Sequence, residues 1–193
     1  MDFLVYSRAT AAARTSEDDP ELDERHWQYM DGFAGAFTAR GPTLGPDRET
    51  WTGSLHVVDL PDLDAARAFV EDEPYHRAGL FEDDLVRRFA DLLGRTMWEF
   101  EGGAGRPRFL VLASPAPGVD PPEPVPAADL PSELRDGLVM YGQLLSPDGA
   151  PDGVALAAQA PDRAALERLL AQERTGLAGL ELELHDWEFG GRR

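Results

Sequence analysis

The chain has 193 residues, 42% of them apolar, which suits one or two compact units with a buried core. Its 36 acidic against 18 basic side chains give a net charge of −18, a field that repels phosphate backbones and anionic lipid surfaces and so disfavours nucleic-acid or membrane binding. There is no Cys, which removes thiolate nucleophiles, disulfides and thiolate metal sites, and no Lys, which removes Schiff-base and P-loop chemistry.

The start, MDFLVYSRATAAARTSE, does not read as a signal peptide, and no apolar run reaches the roughly 20 residues of a membrane span. The expected location is the cytoplasm. Asp2 to Arg8 alternates and predicts a strand. A helical stretch follows from about Glu21 to Ala39, then a short Gly41-Pro42 segment, then a strand from Ser54 to Asp59. Leu60-Pro-Asp62 predicts a helix start, with Asp62 as its cap and Ala66, Phe69 and Val70 as its apolar face. A last strand is expected within Leu85 to Phe100. This β-α-β-β-α-β order is that of a ferredoxin-like unit.

The pattern is then written a second time. Phe3-Leu-Val5 returns as Phe109-Leu-Val111, and Gly53 to Asp62 is paralleled by Gly153 to Asp162. Trp98-Glu-Phe100 returns as Trp187-Glu-Phe189, and Ala78-Gly-Leu80 as Ala178-Gly-Leu180. Leu166, Leu169 and Leu170 repeat the apolar face of the helix. The fold class expected is therefore α+β, two tandem ferredoxin-like units closing an intramolecular dimeric α/β barrel. Residues 1–100 form the first unit, 101–107 a Gly-rich linker, and 108–193 a degenerate second unit. The Pro-rich run from Ser114 to Ala128 reads as an extended loop.

Only the first unit carries polar equipment. Tyr6 and Arg8 become Leu112 and Ser114, Ser54 and His56 become Val154 and Leu156, and Tyr75-His76 becomes Thr175-Gly176. Each strand pair follows period 2 and shares one face of its strand. Buried polar groups are costly unless paired, so these positions suggest a cleft in the first unit, with the second unit as its wall. The four His are too scattered for metal-ligand spacing, so no metal site is expected. Gly41 and Gly53 are single glycines without a phosphate-cradling pattern.

The first-strand FLVYSR, His26 within RHWQYM, Ala39-Arg-Gly-Pro42, Gly53-Ser54 and the run Glu73 to Gly79 together resemble a YCII-related (YciI-like) domain of the dimeric α/β-barrel superfamily. The resemblance covers about residues 1–100. It implies a His facing a carboxylate in a cleft, carried here by His26 and Glu73, where the family usually has Asp-Pro-Tyr in place of Glu73-Pro74-Tyr75. A carboxylate bonded to one imidazole nitrogen fixes the tautomer and leaves the other for proton transfer. On this reading His26 and Glu73 are the catalytic pair, and Arg8, Ser54, Tyr75, Tyr6 and His56 bind a small organic substrate. The reaction would be an isomerisation or elimination of lyase or dehydrochlorinase type without a cofactor. A non-catalytic module binding a metabolite or protein, and a pseudo-dimer with a decayed site, stay open, as do a monomer and a homodimer.

Overall fold

A computed structural model describes residues 1–15, 19–103, 105–121 and 123–191. In the first half, β1 (Asp2–Ala9) lies antiparallel between β3 (Trp51–Asp59) and β4 (Phe81–Asp91), and β3 continues to β2 (Phe37–Leu44). The second half repeats this: β5 (Arg108–Ser114) lies between β7 (Pro151–Gln159) and β8 (Glu181–Trp187), and β7 continues to β6 (Leu138–Leu145). Two seams join the halves, β2 with β8 over Thr43↔Trp187 and Leu44↔Asp186, and β4 with β6 from Arg88↔Leu145 to Asp91↔Gly142. The sheet closes as a barrel in the order β1-β3-β2-β8-β5-β7-β6-β4. Closure gives every strand two neighbours, although the seams pair only two residues of β2 with β8 and four of β4 with β6.

Strand alternation sorts the side chains into three cores. Leu4, Tyr6, Leu55, Val57, Leu110, Leu112, Met140 and Trp187 fill the barrel interior. Phe3, Val5 and Val58 face outward beneath α1 (Pro20–Asp31) and α2 (Leu63–Glu71), meeting Met30, Ala66, Phe69 and Val70. In the second half Phe109, Val111, Leu156 and Ala158 meet Leu134 of α4 (Ser132–Gly137) and Leu166 and Leu170 of α5 (Arg163–Leu170). Strands covered on both faces explain the unbroken apolar runs FLV and FLVL. Each fully buried large side chain contributes about 1.5–3 kcal/mol.

Capping sets the helix starts. Asp62 Oδ1 accepts from Ala65 N at 2.9 Å and Asp162 Oδ1 from Ala165 N at 2.7 Å, so both halves open this helix alike. Asp19 Oδ1 accepts from the backbone of Glu21 and Leu22, both at 3.1 Å, and Pro20 stands in the first turn of α1. Gly53 and Gly153 are equivalent crossings: a Cβ at either would lie 2.4 Å from the carbonyl oxygen of Ser7 or Ala113 across the strand pair.

Three expectations from sequence are corrected. The first helix ends at Asp31, and residues 37–44, including Gly41-Pro42, form β2. The last strand of the first half begins at Phe81 and ends at Asp91, leaving Trp98 in a 3-10 turn, Met97–Glu99. Phe3 faces Arg88 and Phe109 faces Asp186, so Trp187 stands in the place of Phe89. The repeated Trp-Glu-Phe is therefore not one structural position. The Pro-rich run from Ser114 is irregular chain, apart from the strand residue Ser114 and a turn at Ala127–Asp129, with residue 122 outside the described residues. Among the described residues no helix is long and apolar enough to cross a membrane.

Candidate functional site

The buried face of α1 is Leu22, His26 and Met30, at i, i+4 and i+8, so the helix turns one imidazole toward the sheet. Opposite it, the chain leaves α2 and starts the short helix α3 (Pro74–Arg77), capped by Glu73 in extended conformation. The two carboxylate oxygens of Glu73 have separate tasks. Oε2 accepts from the backbone N–H of His76 at 2.8 Å, and Oε1 lies 2.7 Å from His26 Nδ1. His26 is 8% exposed and Glu73 4%. The carboxylate holds the Nδ1–H tautomer, and Nε2 has no hydrogen-bond partner among the described residues.

Tyr75 stacks flat on the His26 ring, with centroids 4.2 Å apart and 9° between planes, and its hydroxyl donates to Asp23 Oδ1 at 2.7 Å. Trp27 meets the same imidazole edge-on at 5.4 Å. α3 is thus tied to α1 by a carboxylate–imidazole bond, a ring stack and a phenol–carboxylate bond.

The floor comes from β3. Val5 faces His56 and Tyr6 faces Leu55 across the β1–β3 pair, and residues opposite each other share a face. Ser54 and His56 therefore point to the helix side with Val5, while Tyr6 and Leu55 point into the barrel. His56 packs against Phe37 and Phe69, at 5.8 and 5.5 Å between ring centres. Burial, with the charges of His26 and Arg40 adding, pushes its pKa down to about 3, so the imidazole is neutral at physiological pH.

Between α1, α3, β2 and β3 lies a cavity of about 730 Å³, within the range of small-molecule sites. His26, Tyr75, Ser54 and His56 line it, and Glu73 stands behind His26. Apart from Gly190, every lining residue belongs to the first half. The wall expected from the second unit is thus reduced to the chain after β8, where Gly190 N donates to Arg40 O at 2.8 Å.

Tyr6 and Arg8 are placed elsewhere. Tyr6 is fully buried in the barrel, its hydroxyl 3.3 Å from His185 Nδ1 and 3.4 Å from Thr43 Oγ1, and burial raises its pKa against the Thr43 bond. Arg8 pairs with Glu183 at 2.6 Å and donates to the Asp83 carbonyl at 3.1 Å. His185 bonds the same carboxylate at 2.9 Å. The His185 bond, with Arg8 adding and burial opposing, holds Glu183 down to about 2. His76 is taken up by Asp84 at 3.0 Å. Among the described residues no three His, Asp or Glu side chains converge to hold a metal ion.

Sequence reasoning did not single out Asp23, Trp27, Arg40 or Trp51 as site residues, yet all four line the cavity. Asp23 lies three residues before His26, on the same helix face, whereas Trp27, one residue after it, is not placed there by helix spacing. Arg40 is 4% exposed on a strand that the sequence had hidden behind Gly41-Pro42.

The model of the YCII-related domain family matches residues 1–90. No curated protein matches the chain. Among solved structures, a 5-chloro-2-hydroxyhydroquinone dehydrochlorinase from Burkholderia phenoliruptrix, solved with 2,5-dihydroxybenzoquinone, is 26% identical over 47% of this chain and 94% of its own, with a TM-score of 0.40. A provisionally assigned chlorite dismutase aligns over 98% of this chain and 96% of its own at 10% identity and a TM-score of 0.54. A provisionally assigned monooxygenase from Fusobacterium nucleatum aligns over 97% and 91% at 9% identity and a TM-score of 0.51. The last two likenesses concern the whole barrel and the fold alone. The first strand, the His26 helix and the Glu73 turn of this chain all fall within residues 1–90, the span that matches the YCII-related domain model.

Proposed function

We propose that the first half binds a small organic molecule in the cleft beneath α1 and moves a proton on it without a cofactor. His26 takes and returns the proton through Nε2. Glu73 orients the ring and stabilises its protonated form. Ser54, His56 and Tyr75 hold the ligand, and isomerisation or elimination is the reaction class that such a set serves. The observation that carries this reading is the 2.7 Å contact between His26 Nδ1 and Glu73 Oε1, nearly sealed from solvent, on the wall of a cavity of ligand size. The match of residues 1–90 to the YCII-related domain model supports it. On the same reading residues 108–193 are a second, degenerate unit that completes the barrel, as monomer or homodimer. The charge of −18 supports a cytoplasmic protein that avoids nucleic acid and membranes.

The test is a thermal-shift screen of small ketones, phenols and organic acids against wild type and His26→Ala, with each hit followed for turnover by NMR. Turnover by wild type that His26→Ala loses is the expected result. Hits that bind and turn over equally in both proteins would overturn the assignment. Hits that bind in the cleft without turnover would make it a non-catalytic binding module.

A further inference from the structure

Of the polar side chains that line the cavity, the dyad uses His26 and leaves Ser54 and His56 on the floor without a task. Ser54 is 8% exposed and His56 7%, and neither side chain has a hydrogen-bond partner among the described residues. A hydroxyl and an imidazole that open onto a cavity are groups to which a ligand can bond. The two stand at i and i+2 on β3, about 7 Å apart along the strand and on the same face. Arg40, opposite His56 in the β2–β3 register, lines the same wall and gives it a positive field. The second half, with Val154 and Leu156 at the equivalent register, has no such pair.

We propose that Ser54 and His56 form an oxyanion-binding pair for a carbonyl oxygen, so that the ligand is a small enolisable carbonyl compound. This rests on the His26–Glu73 reading above. The carbonyl oxygen accepts the Ser54 O–H and the single N–H of the His56 imidazole, using its two lone pairs. His26 Nε2 takes the α-proton. The C–H electron pair becomes the C=C bond, and the carbonyl π pair moves onto the oxygen held by Ser54 and His56. Return of the same proton to the opposite face of the same carbon, as the oxygen's electron pair re-forms the carbonyl, gives the α-epimer with no net gain or loss. A neutral imidazole suits this task, because its weakly acidic N–H stabilises an enolate oxygen without surrendering its proton. Burial beside His26 and Arg40 keeps His56 in that form.

Two probes test the pair separately from the dyad. 4-Nitrophenol, whose coloured phenolate mimics an enolate, reads oxyanion binding. Cyclohexanone in D2O, followed by proton NMR, reads α-proton removal. Wild type should bind 4-nitrophenol as its phenolate and exchange the α-protons of cyclohexanone. Ser54→Ala and His56→Leu should each weaken phenolate binding by about 10- to 100-fold, while His26→Ala keeps the phenolate and loses the exchange. His56→Leu introduces the residue that the second half already carries, and His56→Asn is the fallback if it misfolds. Unchanged phenolate affinity in both Ser54→Ala and His56→Leu, or no action of wild type on either probe, would overturn the pair. Exchange that survives in His26→Ala while phenolate binding is lost in His56→Leu would remove the dyad and leave the pair standing.

Discussion

The two halves use one strand order to opposite ends. In the first, α1 spans twelve residues and leaves a cavity between itself and β3. In the second, α4 spans six, and Leu130, Leu134, Leu177 and the Pro-rich loop residue Val125 pack over the equivalent strand face. Arg40 faces His56 across the first β pair, and Tyr141 faces Leu156 across the second, where its hydroxyl donates to the Val125 carbonyl at 2.7 Å. Thr175, in the place of Tyr75, turns inward to the carbonyls of Leu170 and Gln172. Gly176, in the place of His76, has φ of 69° and passes so close to Val125 that a Cβ would lie 2.8 Å from its side chain. The shared strand order therefore does not by itself make the cleft. Side chains that fill the space, or decline to, decide it.

Four measurements sharpen or break this comparison. The largest effect is expected in the filled half: Leu134→Ala, at 1% exposure, should cost about 2–5 kcal/mol by urea denaturation. A near-neutral result would mean that the second cleft is not packed. Next comes pH. His56 has a folded pKa of about 3 against an ordinary 6.5. Above 6.5 it contributes nothing. Below 6.5 the unfolded chain takes up a proton that the folded one refuses, so stability falls by up to about 1.4 kcal/mol per pH unit until near pH 3. Between pH 6.5 and 4.5 the wild type should lose about 2–3 kcal/mol more than His56→Leu, and equal losses would show that His56 protonates while folded.

The third test compares the two glutamates. Glu73→Ala removes a buried cap and the partner of His26 and should cost about 1–3 kcal/mol, whereas exposed Glu173→Ala should stay within about 0.5 kcal/mol. Similar costs would erase the difference between the turns. The smallest effect belongs to the ion pair between the halves: Arg8→Ala, partly exposed beside Glu183, should change stability by about 0–1 kcal/mol beyond its lost packing, and ligand response not at all.

Much of this was legible in the sequence because local chemistry declared it. Asp62 and Asp162 announce their helices by capping, and the pairing of His26 with Glu73 followed from the family resemblance. What stayed hidden depended on partners far along the chain. Period 2 places Tyr6 with Arg8 and Ser54 with His56, yet only the register Val5↔His56 tells that the two pairs face opposite sides of the sheet. β2 was masked because Gly41 and Pro42 look like breakers, although its neighbours β3 and β8 supply pairing on both sides. β4 was placed too late because Glu82, Asp83 and Asp84 give its start a polar look. Arg40 is found only once β2 is.

The seams between the halves have a consequence for how such a site can change. In a symmetric pair of identical chains every substitution appears twice, so a cleft cannot be sealed in one partner and kept in the other. Here β2–β8 and β4–β6 join two different stretches of a single polypeptide. Broken symmetry frees one side to become ballast, dense and inert, while the other stays hollow.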